Sequence, residues 1–274
     1  MQIKEQFKQI VRFLNPFDAF GGKLGHVVAP LIVTATMATQ IIPGTPLNLS
    51  GITEIGGGAA EPGAELVLGV DLSYDETTIG WWQYLYDDGV RIGAQALLAV
   101  PYGGPEVPVN ACNNLRNMLE TKVLPAGYIV VSDWLPGAAS IDAGYAACPD
   151  VWSQLLFVAI DIELPLTNPQ QQILDAIARV RELGQSPVIY TSWWAWTTYV
   201  GYWAPPGVPL WNAYWDDSPD VDYLKLPFGF VVLVGEQYRG SDPDGDDVCN
   251  DWGGVCVDLN VFHAGLLQSG FNSS

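Results

Sequence analysis

Phe157-Val158-Ala159-Ile160-Asp161-Ile162-Glu163 is the stretch on which the fold turns. Four apolar residues, Phe157 to Ile160, lead directly into two acids at i and i+2, with a fifth, Ile162, between them. Side chains alternate along a strand, so Asp161 and Glu163 share one side, roughly 6–7 Å apart. A continuous apolar run of this length reads as a buried parallel strand. Two carboxylates at the end of such a strand are costly to desolvate, which points to work done or a ligand bound. A structural pair, satisfied by backbone and arginine, is the plainer alternative. The functional reading is general acid/base chemistry, most often on a glycosidic bond.

Working outward, strands and helices alternate from residue 66. Strands are expected at 66–72, 90–100, 128–132, 155–162, 187–191, 208–214, 230–234 and 257–262. Helices are expected at 81–88, 110–124 and 141–148. Asn168-Pro169 opens another that runs to Leu183, with Ile173, Ile177 and Val180 facing the core and Gly184 as its C-cap. About eight strands with intervening helices predict a parallel α/β barrel of the (β/α) TIM-like kind. About 210 residues is near the lower limit for one, and the last third lacks clear helices, so an irregular barrel is expected.

In parallel barrels the chemistry sits at the C-terminal strand ends. Here Asp71, Asp133, the Asp161/Glu163 pair and Asp258 all fall at or near strand ends, which suggests one acidic rim. The ordered series GVDLS (69–73), AIDIE (159–163), PVIYTS (187–192), PLWNAYW (209–215), EQY (236–238) and VDLNVF (257–262) resembles glycoside hydrolase family 25, the lysozymes or muramidases. The likeness spans about residues 66–265. It implies an irregular β/α barrel that cuts peptidoglycan after N-acetylmuramic acid, without a cofactor.

Carried over position by position, Glu163 resembles the family's general acid and Asp161 the first acid of its pair. Asp71 and Asp258 match the acids on its first and last strands, and Tyr190 its YTS tyrosine. Family 18 chitinases carry a further acid two residues before the pair, where this chain has Ala159. Two departures stand out. Glu236-Gln237-Tyr238 replaces a usual Trp-Gln-Tyr, and Ser132-Asp133-Trp134 replaces Tyr-His-Phe. They admit an alternative, a carbohydrate-binding or assembly protein that reuses the barrel on a virion or cell surface. Gln237, Tyr238, Asp133 and Trp134 are therefore expected to contact the glycan.

Aromatic residues support a carbohydrate ligand. Trp193, Trp194, Trp196, Trp203, Trp211 and Trp215 fall close together with Tyr199, Tyr202 and Tyr214. Sugar C–H faces stack on such rings. Trp194, Trp211 and Tyr214 are the expected groove residues, and the others are expected to serve mainly in packing.

The charge of -19 is unevenly placed, because Lys4, Lys8, Arg12 and Lys23 face only Glu5 and Asp18 in residues 1–23. An acidic surface repels phosphate backbones, which argues against nucleic acid. Two histidines and no CxxC leave no expected metal site. Four cysteines allow three pairings. The simplest joins Cys249 to Cys256 across a Gly-rich loop and Cys112 to Cys148 between helical regions, which suits an oxidising compartment. Residues 241–247 resemble a calcium loop only superficially, with Gly245 misplaced for an EF-hand.

Residues 1–23 read as a basic amphipathic helix, 24–42 as an apolar signal or membrane anchor, and 43–65 as a Gly/Pro-rich linker to the barrel at 66–274. A soluble arm bound to an assembly partner is the other reading of 1–42. The expectation is a secreted or surface-associated protein.

Overall fold

The computed structural model describes residues 65–101, 103–240 and 250–268. The readings of residues 1–23 and 24–42, the linker but for Glu65, the 241–247 loop and Cys249 all lie outside them.

Seven strands follow one another around a closed sheet: β1 (Leu66–Leu72), β2 (Val90–Leu98), β3 (Leu124–Val130), β4 (Val158–Asp161), β5 (Pro187–Ser192), β6 (Leu210–Ala213) and β7 (Leu233–Arg239). All six successive pairings are parallel. A two-residue strand, β8 (Asn250–Asp251), pairs with β9 (Cys256–His263). Strand β9 closes the barrel between β7 and β1, antiparallel to both. The barrel is therefore mixed, a departure from the parallel closure expected. A parallel return needs a crossover of a dozen or more residues, usually helical, and no helix is described between β7 and β9.

Helices α1 (Ile79–Asp87), α2 (Ala111–Leu119), α3 (Ala138–Ala147) and α4 (Pro169–Glu182) connect the earlier strands. Thr78 caps α1 by accepting from the Trp81 N–H, and Pro169 opens α4 at a position where no N–H is needed. Helix α4 buries Ile173, Ala176, Ile177 and Val180. Strand parity divides the core in two. Val158 and Ile160 of β4 face outward, into a layer shared with the helices. Phe157 and Ala159 face inward with Ile92, Tyr190, Trp211 and Phe262, filling the barrel. The Phe262 ring fits because β1 and β7 offer Gly69 and Gly235 there, and a Cβ at either would overlap it.

Several boundaries differ from expectation. Helix α2 stops at Leu119, where Thr121 Oγ1 donates to the Met118 carbonyl at 2.7 Å and accepts from the Val123 N–H, turning the chain into β3 at Leu124. Strand β3 thus ends at Val130, leaving Ser132-Asp133-Trp134 in the loop beyond. Strand β7 runs Leu233–Arg239 rather than 230–234, which puts Glu236, Gln237 and Tyr238 within it. An unexpected helix, α5 (Trp193–Tyr199), starts where Ser192 Oγ accepts from the Ala195 N–H. A last helix, α6 (Gly265–Gln268), follows β9. None of the described helices is long and apolar enough to cross a membrane.

Candidate active site

Inward positions on the strands converge on a pocket of about 210 Å³ at the barrel mouth. Asp71 comes from the end of β1 and Asp161 from the end of β4. Glu163 stands two residues past Asp161, on the same side of the chain. Asp258 arrives by a different route. Strand β9 runs backwards, so its N-terminal half reaches the rim, and Asp258 pairs with Asp71 in register. Ser73, Ala99, Tyr128, Val130, Tyr190, Trp211 and Gln237 complete the lining.

Gln237 organises the floor. Its Nε2 donates to Asp71 Oδ2 at 2.9 Å and to Asp258 Oδ2 at 3.2 Å. Its Oε1 accepts from the Tyr190 hydroxyl at 2.8 Å and from Trp215 Nε1 at 2.7 Å. Asn260 Nδ2 also donates to Asp71 Oδ2 at 2.8 Å, and Trp211 Nε1 holds Asn260 Oδ1 at 2.9 Å. One amide thus links two acids, a tyrosine and an indole. Asp161 is treated differently: its Oδ1 is buried and has no hydrogen-bond partner among the described residues.

Confinement raises the proton affinity of Asp71, Asp161 and Glu163. Glu163 keeps part of its surface open to solvent at the mouth, yet protein surrounds it on most sides. Burial first, then the charge of Asp258, pushes its pKa to about 7. Burial, Glu163 and Asp71 hold Asp161 well above the usual carboxylate range. Asp71 is raised by burial and by Asp258, against the lowering effect of its Asn260 and Gln237 amides. The Tyr190 and Tyr128 hydroxyls are also raised, by burial first and then by these acids, so both stay protonated as donors. Among the described residues no group of three or more His, Cys, Asp and Glu has the arrangement to hold a metal ion.

The pocket brings together Asp71, Asp161, Glu163, Asp258, Tyr190, Trp211 and Gln237 of the residues marked out in sequence. Trp211 is only 1% exposed, so it serves as floor rather than as an open stacking face. Asp133, Trp134, Trp194, Tyr214 and Tyr238 do not line it. The Asp133 carboxylate accepts from the Thr167 N–H, Thr167 Oγ1 and Gln172 Nε2, pinning the loop that follows Glu163. Trp134 is largely exposed, and Trp194 stacks edge-on with Tyr199 in α5. Trp196 is fully buried, packed on Trp203 and Phe230.

Ser73 and Tyr128 also line the pocket, although neither is among the residues marked out in sequence. They share a 2.5 Å hydrogen bond. Period-2 spacing from Asp71 leads to Ser73, whereas Tyr128 opens the strand expected over 128–132 and in the structure lies inside β3.

Outside the barrel wall, Glu236 and Asn212 face each other on β7 and β6, both fully buried. Asn212 Nδ2 donates to Glu236 Oε2 at 3.2 Å, as does the Asp222 N–H. Their other oxygens, Glu236 Oε1 and Asn212 Oδ1, have no partner among the described residues. Burial raises Glu236 to about 7 despite those donors, with Asp216 and Asp222 adding to the rise. Cys112 and Cys148 form a disulfide between α2 and the end of α3. Cys256 is also disulfide-bonded, and its expected partner Cys249 lies outside the described residues.

No protein-family model matches the chain, and no curated protein matches it. Solved structures do. A lysozyme from Streptomyces coelicolor is 24% identical, with a TM-score of 0.60, over 76% of this chain and 98% of its own. A muramidase from Acremonium alcalophilum is 20% identical, with a TM-score of 0.57, over 76% of this chain and all of its own. A family 25 lysozyme from Aspergillus fumigatus is 17% identical at the same TM-score, over 77% of this chain and all of its own. The chain has the irregular β/α barrel fold of the family 25 lysozymes, in keeping with the resemblance in its motifs. At these identities the likeness is one of fold.

Proposed function

We propose that the protein is a glycoside hydrolase that cuts peptidoglycan as an N-acetylmuramidase. The observation that carries the reading is the pocket in which Glu163, raised to about 7, faces Asp161, Asp71 and Asp258. A general acid for this chemistry must hold a proton near neutrality and meet the leaving oxygen. Glu163 meets the first requirement and stands at the mouth, where a glycosidic oxygen can reach it. Asp161 offers a buried acceptor oxygen with no donor among the described residues, suited to the N–H of a substrate acetamido group.

In this scheme Glu163 protonates the glycosidic oxygen as the C1–O bond breaks. The acetamido carbonyl oxygen, oriented by Asp161, closes on C1. Water then opens that intermediate, giving its proton to Glu163. Burial first, then the charge of Asp258, keeps Glu163 protonated, and Gln237 ties Asp258 to Asp71. The lysozyme and muramidase neighbours favour peptidoglycan as the polymer. The Cys112–Cys148 disulfide supports a secreted or surface location.

A non-catalytic carbohydrate-binding or assembly role is the second reading. The observation in its favour is Asp133, whose carboxylate serves its own loop rather than the pocket. The test is release of reducing ends from purified peptidoglycan and from chitin oligomers, wild type against Glu163→Gln. The hydrolase reading expects release from peptidoglycan, with kcat lower by roughly 10²–10⁴ in the variant. Binding without release by the wild type would favour the second reading.

A further inference from the structure

Trp215 lies two residues beyond β6 and is 54% exposed. An exposed indole ordinarily turns its N–H to water and samples several rotamers. This one is held. Its Nε1 donates inward to Gln237 Oε1 at 2.7 Å, and Gln237 is 1% exposed and bonded in turn to Asp71 and Asp258. The ring rests against Gly240, where a Cβ would overlap it. Its one polar atom is thus spent on the pocket floor, and apolar ring surface is left facing solvent beside the acids. Leaving so large an apolar surface in water costs free energy that burial elsewhere would recover.

We propose that Trp215 is a stacking platform for a pyranose ring, a binding subsite next to the acid pocket. The inference rests on the glycan-cleaving reading and adds to it where the chain continues. A pocket of about 210 Å³ is smaller than the roughly 300–1,000 Å³ of ordinary small-molecule sites, so it holds little more than one sugar. The neighbouring sugars of a polymer must then lie on the rim. A rigid indole suits the apolar C–H face of a pyranose, while its N–H bond to Gln237 ties the subsite to the catalytic floor.

The test uses soluble peptidoglycan glycan fragments of two to six sugars, with Trp215→Ala, Trp215→Phe and Glu163→Gln. The platform predicts that KM for the longest oligomers rises about tenfold in Trp215→Ala, an effect that grows with oligomer length and exceeds any fall in kcat. Trp215→Phe keeps a ring but loses the N–H, so its KM should stay within about threefold of wild type. A residue that only positions Gln237 would behave otherwise. Phe and Ala would then be equally impaired, through kcat, at every length, and the platform would be overturned.

Binding separates this inference from the catalytic one. In Glu163→Gln, added hexamer should quench tryptophan fluorescence, and further substitution of Trp215→Ala should remove most of the quench. That result with no turnover by wild type would keep the platform and sink the hydrolase. An equal quench with and without Trp215 would sink the platform whatever the turnover.

Discussion

Glu163 and Asp161 lie two positions apart and are assigned opposite tasks by their surroundings. Glu163 stands at the mouth with its proton affinity raised by burial and by Asp258, whereas Asp161 is walled in with an acceptor oxygen left over. A group that must act as an acid works only while protonated. The pH dependence of kcat/KM should therefore hold up below about 7 and fall as pH rises through it. Steady-state rates between pH 5 and 9 check this, and activity that instead climbs above pH 7 would remove Glu163 from the acid role. Parity alone made this pair legible, because alternation places i and i+2 on one face. The same alternation leads from Asp71 to Ser73, whereas Tyr128 lies inside β3 and not at the start of a strand over 128–132. Asp133 follows a strand in sequence, which suggests a place on the rim, but β3 ends three residues earlier and the carboxylate turns to Thr167.

At the scale of elements, β7 carries two faces of different use. Gln237 points into the barrel and joins Asp71 to Asp258, while Glu236 points out and meets Asn212. An acid at about 7, buried against an amide, is matched to its neutral form, whose extra proton suits Asn212 Oδ1. Its folded pKa lies above its ordinary 4.5, so the folded state binds the proton more tightly. The stability this contributes is full below about 4.5 and is lost as pH rises to about 7. Asp216, Asp222 and the Asp222 N–H are the other groups acting on it. Glu236→Gln imitates the neutral acid. It should match the wild type in melting temperature near pH 4.5 and exceed it by several degrees at pH 8. A variant less stable at pH 8 would contradict the account. The direction of β9 was not legible in Val257-Asp258-Leu259-Asn260-Val261-Phe262, because alternation is the same whichever way a strand runs. The clue lay in what precedes it, a segment without helical period and so without a parallel return.

For the whole molecule, the order of motifs along the chain carried most of the architecture. Each strand from β1 to β7 lies beside the next, so sequence order becomes order around the barrel and the acids at its ends gather at one mouth. The exception proves instructive: Asp258 reaches that mouth only because β9 is reversed, placing its early residues opposite Asp71. Aromatic residues were the least legible part. Clustering in sequence between Trp193 and Trp215 did not mean clustering in space, since α5 turns Trp196 into the core and leaves Trp194 on another face. Only Trp211 and Trp215 touch the site's hydrogen-bond network, both through bonds that composition does not reveal. The account as a whole claims one act, cleavage after N-acetylmuramic acid. The most direct measurement is to digest purified peptidoglycan, reduce the products with borohydride and identify the reduced sugar by mass. The account predicts reduced muramic acid, absent with Glu163→Gln. Reduced glucosamine in its place, or no reduced sugar at all from the wild type, would contradict it.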